Sequence, residues 1–145
     1  MLVDIRKESF NAYREILSYQ ESQNFSGEYG ATASFVGSMR DFNEDRKVTS
    51  MTLEHYPGMT EKHLNAIARE ATEKWRLLDV LILHRIGKVT IGEDIVVVAS
   101  WSAHRKEAFE SCRSMMEQLK SSAPFWKKES TTSGSKWVEK NTPGI

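Results

Sequence analysis

Four groups of residues in this 145-residue chain have the types and spacing to do chemistry. The first is Ser102-Ala103-His104-Arg105, where a β-rich run gives way to a helical pattern. At a helix start the unpaired backbone N–H groups and the positive end of the dipole point the same way. An imidazole and a guanidinium placed there suit a phosphate or carboxylate, since arginine can bind two oxygens at once. The ordinary alternative is a helix start whose arginine points into water.

The second is Lys120, at the far end of the same helical pattern. On a helix, Phe109, Cys112, Met116 and Leu119 form an apolar arc of roughly 80°, and Lys120 sits just outside it. A lysine there either snorkels to water or is partly desolvated with a lowered pKa. The second state would suit a general acid, a general base or a nucleophile. The third group is Ala123 to Glu129, APFWKKE. On a strand Lys127 and Lys128 face opposite ways, so only one of them can share a site with Lys120. The same aromatic and basic residues could instead stack on bases, or guard an edge strand against pairing. The fourth is Arg40, just past Gly37 at the end of a β-rich run, where loops tend to carry function and glycine permits close approach.

Other routes to chemistry are absent from the pattern. His55, His63, His84 and His104 show no metal-ligand spacing, and a single cysteine excludes a disulfide framework or a Cys-rich zinc site, so no metal or cofactor is expected. Cys112 lies mid-stripe and reads as a small buried hydrophobe. There is neither a GxGxxG nor a P-loop.

The elements that must carry these groups follow from periodicity. Residues 2–5 read as a short strand and Ser9–Tyr19 as a helix with Phe10, Tyr13, Ile16 and Leu17 inward. Residues 20–30 read as a loop, 30–37 as a strand, 40–47 as a mobile charged loop and 48–56 as a strand stopped by Pro57-Gly58. Thr60 is expected to cap a helix to about Trp75, with Leu64, Ile67, Ala68 and Ala71 inward. Two β-rich runs, 80–86 and 94–101, lead to the second main helix from His104, ended by Pro124. The tail to Glu139 suggests two short strands about a turn at 133–135. The order predicts an α+β class, helices on a mostly antiparallel sheet, in one domain over 1–145.

Composition sets the surroundings. With 39% hydrophobic and 28% charged residues this is an ordinary globular composition. Net charge is zero, so nothing global draws the chain to nucleic acid or membrane. From His104 onward, however, eight Lys/Arg stand against five Asp/Glu, a local excess in the third that holds most of the candidates. No apolar run reaches the ~20 residues of a membrane span, and no secretory signal is visible, so the expected location is cytoplasmic.

Taken in order, residues 30–41 (GATASFVGSMRD), 53–60 (LEHYPGMT), 84–87 (HRIG), 102–105 (SAHR), Phe109, Met116, Leu119-Lys120, 123–129 (APFWKKE) and 137–139 (WVE) resemble the catalytic, large subunit of molybdopterin synthase. The resemblance runs from about residue 30 to residue 139 and is specific as an ordered set. It implies an α/β-hammerhead-type α+β fold and a sulfurtransferase that converts cyclic pyranopterin monophosphate to molybdopterin. The sulfur would come from the C-terminal thiocarboxylate of a small ubiquitin-like partner. It also implies a homodimer of this chain that forms a heterotetramer with two partners.

By the same resemblance Lys120 and Lys127 are the catalytic pair. Ser38, Met39, Arg40, His104, Arg105, Lys128 and Glu129 are substrate contacts, with Arg40, His104 and Arg105 holding the phosphate. Gathered lysines would depress one another's pKa and supply a neutral amine for proton transfer. One position departs: where some members place an arginine that reaches the neighbouring subunit, this chain has Asn141 beside Lys140. The competing readings are a non-catalytic module that binds the ubiquitin-like partner, and a nucleic-acid binder using Trp126, Trp137 and the tail lysines.

Overall fold

A computed structural model of the chain describes residues 1–43, 46–131 and 134–137. Lys140 and Asn141 lie outside the described residues. The described residues form two sheets and three helices, so the expected α+β class holds, with one sheet more than the sequence suggested.

The first sheet is built on β5 (Asp79–Arg85) and β7 (Asp94–Ser102), which run antiparallel. Strand β1 (Leu2–Arg6) flanks β5 in parallel, and β2 (Ala31–Ser38) flanks β7 antiparallel. Every residue of β5 is buried because helices cover both faces. Val80, Ile82, Val96 and Val98 point to one side, where they pack with residues of α2 (Met59–Trp75) and α3 (Arg105–Ser122). Leu81, Leu83, Val97, Ala99 and Trp101 point to the other, toward α1 (Ala12–Gln23). A strand covered on both faces reads as a continuous apolar run instead of alternating.

Helix α1 starts three residues later than Ser9 and ends four residues past Tyr19. Asn11 caps it, its Oδ1 accepting from Tyr13 N and Arg14 N at 3.1 Å each. Its buried side is Ala12 and Tyr19 with Ile16 half-buried, whereas Tyr13 and Leu17 are exposed. The inward stripe is thus one residue, about 100°, away from the one expected.

The second sheet centres on β4 (Arg46–His55). One edge of β4 pairs with β8 (Phe125–Thr131), which continues to β9 (Gly134–Trp137); β4 also pairs with β6 (Gly87–Thr90) and with the two-residue β3 (Phe42–Asn43). Described residues of the expected mobile loop 40–47 therefore form a hairpin, and β6 is a strand that periodicity missed because it is only four residues long.

Helix α2 is capped at Gly58, not Thr60. Thr60 is fully buried and does something else. Its Oγ1 accepts from Tyr56 N at 2.9 Å and donates to Pro124 O at 3.0 Å, tying the start of α2 to the link between α3 and β8.

Candidate functional site

Helix α3 sets the scale of the site. Ser100 Oγ and Ser111 Oγ, both fully buried, lie 3.1 Å apart, and Ser100 donates to Ala108 O at 3.1 Å, pinning α3 along β7. Cys112 is buried in this interface, its thiol 3.6 Å from Val98 O and pushed up to about 11 by desolvation. Phe109, expected inward, is 70% exposed; Ala108, Ser111 and Met115 take the inward positions instead. With Phe35, Cys112, Arg113 and Met116 it lines an apolar groove of about 330 Å³ between β2 and α3.

The two ends of α3 carry the two sets of candidates. Lys120 stands in the last turn and Arg105 in the first, fifteen residues apart, a rise of about 22 Å along the axis. Because β2 and β7 run antiparallel, Ser38 lies opposite Asp94 and Ala31 opposite Ser102. Arg40 is therefore at the Asp94 end of the sheet, while His104 and Arg105 follow from its Ser102 end, eight strand steps or about 27 Å away. Within one chain Arg40, His104 and Arg105 do not converge on a single phosphate. His104 is the N-cap of α3 without using its side chain, and both residues are exposed.

The lysine end does converge. Ala123 N still donates to Leu119 O at 3.2 Å, Pro124 stops the helix, and Phe125 N donates to Ala123 O at 2.9 Å. This reversal lays β8 against β4, with Lys127 opposite Leu53, and brings the Lys127 amine into hydrogen-bond contact with Lys120. Such a bond needs one neutral partner. Burial first, then the Lys127 charge and this hydrogen bond, lower the Lys120 pKa to about 8. About one Lys120 in ten is then neutral at pH 7, compared with far fewer for an ordinary lysine.

His84 and Phe125 form one wall. The His84 ring stacks on Phe125 with centroids 3.8 Å apart and planes 13° from parallel. Its Nδ1 lies 2.7 Å from Arg85 O, which can only accept, so Nδ1 carries the proton. Complete burial, with the charges of Lys120, Lys127 and His55, lowers the His84 pKa to about 3. The ring stays neutral and adds no charge to the lysine pair. Sequence reading assigned His84 no place in the site. Neither spacing nor composition could show that β5 and β8, forty residues apart, meet there.

The remaining candidates divide by face. Glu129 is 4% exposed and shares the inward side of β8 with Lys127. Lys128 points outward, 5.9 Å from the Trp137 ring, on the face that exposes Trp126 and Trp137. Only Lys127 of the pair faces Lys120, as alternation required. Ser38 Oγ donates to Asp94 Oδ1 at 3.0 Å. Met39 is 3% exposed with its side chain in the main core, so it presents no side chain to the surface. Gly37 serves tight packing: a Cβ there would meet a methyl of Val96 at 2.8 Å. Among the described residues no cluster of His, Cys, Asp and Glu could hold a metal ion, and no helix is long and apolar enough to cross a membrane.

Comparison with known proteins decides what this arrangement belongs to. Residues 12–122 match the family model described as MoaE protein. The molybdopterin synthase catalytic subunit of Pseudomonas aeruginosa is 50% identical over 139 residues, covering 96% of this chain and 91% of the relative. The chain belongs to the family of molybdopterin synthase catalytic subunits. It is an enzyme of that family. The crystal structure of molybdopterin synthase from Staphylococcus aureus matches with a TM-score of 0.83 at 33% identity, covering 94% of this chain and 96% of that one. A complex of subunits 1 and 2 of the molybdopterin-converting factor from Helicobacter pylori aligns at TM-score 0.79 and 21% identity, over 99% of this chain and 94% of that one, a likeness of fold.

Proposed function

We propose that this chain transfers sulfur to cyclic pyranopterin monophosphate, taking it from the C-terminal thiocarboxylate of a small ubiquitin-like partner, to form molybdopterin. The observation that carries this reading is the amine pair: Lys120 and Lys127 in mutual contact, partly withdrawn from water, beside a neutral His84. Lys120, lowered to about 8, exchanges protons near neutral pH, which each carbon–sulfur bond formation and each release of the partner's terminal carboxyl requires. A charged Lys127 beside it attracts the thiocarboxylate and the anionic substrate. A module that only bound its partner would gain nothing from burying an amine at a cost in stability, which favours the enzyme over that alternative.

Arg40, at the lysine end, is assigned to the substrate's phosphate. His104 and Arg105 lie too far from Lys120 in one chain to share its substrate. In the homodimer we infer, they serve a site completed by the second copy, and the apolar groove with Phe35 and Phe109 is part of the surface available for that contact. The complex of two subunits solved for the Helicobacter pylori protein supports the small-subunit partner. Cytoplasmic location follows from the substrate and partner so assigned.

The test mixes the purified chain with a thiocarboxylated small subunit and cyclic pyranopterin monophosphate, and follows dithiolene product by mass spectrometry, with Lys120→Ala alongside. Product from wild type that falls by about 10²–10⁴ in the variant supports the reading. A stable complex with the partner that yields no product would make the chain a binding module.

A further inference from the structure

Arg85 is 4% exposed, yet Nε and Nη1 have no hydrogen-bond partner among the described residues. A buried charge is costly, and an apolar residue of similar volume would serve packing as well or better. What this guanidinium does touch is strand β6 and the turn that follows it. Nη2 donates to Lys88 O at 2.9 Å, and Nη1 lies 3.6 Å from Glu93 Oε1. The other carboxylate oxygen, Oε2, accepts from Thr90 N at 2.7 Å. That bond first, and Arg85 after it, hold the Glu93 carboxyl below its ordinary range. Gly92 takes φ +85°, the left-handed region, which lets residues 90–93 close so tightly.

The turn in turn holds Met39 by both backbone groups. Gly92 N donates to Met39 O at 2.8 Å, and Met39 N donates to Glu93 O at 2.9 Å. With its side chain in the core, Met39 is fixed on three sides, and the next residue is the exposed Arg40. The ladder of β2 with β7 shifts register at Gly37/Ser38, so the regular strand does not by itself fix where Arg40 emerges.

We propose that Arg85 and Glu93 are positioning residues that lock the turn of residues 90–93 and, through Met39, aim Arg40 at the anionic group of the substrate. This rests on the assignment of Arg40 to the phosphate made above. The pair never touches substrate; it acts through Arg40.

The experiment uses the full chain with its thiocarboxylated partner and compares wild type, Glu93→Ala, Arg40→Ala and the double variant. Loss of Glu93 leaves the buried Arg85 without its counter-charge, so circular dichroism first establishes that the variant is folded under the assay conditions. Two readouts are taken: KM against kcat for cyclic pyranopterin monophosphate, and hydrogen exchange of the Met39 amide. Glu93→Ala should raise KM about tenfold with kcat within about twofold. It should raise KM no further once Arg40 is alanine. Met39 exchange should quicken about tenfold or more in both backgrounds. An unchanged KM, an equal rise in both backgrounds, or an unchanged Met39 amide each overturns the proposal. If Arg40→Ala alone leaves KM unmoved, the assignment of Arg40 fails, while Met39 exchange still decides whether the clamp exists.

Discussion

Replacing Lys120 with methionine should abolish activity and make the protein more stable. Burial and Lys127 lower the Lys120 pKa from 10.5 to about 8, which corresponds to about 3 kcal/mol of stability lost to holding the ammonium in the fold. The sign follows from proton counting. Between pH 8 and 10.5 the unfolded chain binds more protons at this site than the folded one, so stability rises with pH across that window. Below it the full penalty applies. Methionine has nearly the same length and no charge, so Lys120→Met should exceed wild type by about 3 kcal/mol at pH 7, and by about 1 kcal/mol at pH 10. Urea unfolding at the two pH values reads both differences directly, and an unchanged m-value confirms that the same surface is exposed. His84, whose pKa the Lys120 charge helps to lower, is neutral in the fold of both proteins between pH 7 and 10 and does not enter the difference. A variant no more stable than wild type at pH 7, or an advantage that does not shrink with pH, would refute the desolvated-amine account of this site.

Three further outcomes follow from neighbouring contacts. Lys127→Ala removes a repelling charge and a hydrogen bond from Lys120, so the inflection near pH 8 in a single-turnover pH–rate profile should move upward, with the rate reduced by about 10²–10⁴. His84→Phe keeps a ring against Phe125 but loses the bond to Arg85 O, a cost of about 1–2 kcal/mol at pH 7. Because the folded pKa of His84 is depressed to about 3, wild type loses stability as pH falls from about 6.5 toward 3; the phenylalanine variant should lose less over that range in acid titrations followed by circular dichroism. Thr60→Val leaves Tyr56 N and Pro124 O without their partner and should cost about 1–3 kcal/mol in denaturant unfolding, with partial loss of activity because Pro124 leads into β8.

What the chain's pattern revealed of the fold depended on how one-sided each element is. Helix α2 was legible because one stripe, Leu64, Ile67, Ala68 and Ala71, meets the core while the rest meets water. Helix α1 was legible as a helix but not in its phase: Tyr13 and Leu17 look apolar to any periodicity count, yet the small Ala12 takes the position against the sheet. The second sheet was hidden because its unity is non-local. Strand β4 pairs with β3, β6 and β8, whose positions range from Phe42 to Thr131. No local window contains that information.

The site shows the same division more sharply. Alternation alone predicted that one of Lys127 and Lys128 would face Lys120, and the reversal at Pro124 is a local event that puts the pair together. The distance of Arg40 from His104 and Arg105 within one chain, by contrast, was not legible: it comes from an eighteen-residue helix and a nine-residue strand that hold their ends apart. An anion site drawn from both ends of α3 therefore cannot belong to one protomer. This turns a resemblance into a physical demand. If Arg105 and Lys120 act on the same molecule of substrate, a second chain must bring its α3 start to the first chain's α3 end. Mixing Lys120→Ala with Arg105→Ala decides it. Exchange of subunits would then place one intact Lys120 beside one intact Arg105 in half of the mixed dimers' sites, and activity should recover to about a quarter of wild type for random exchange. If both residues served one chain alone, every site in the mixture would lack one of them and no activity would return.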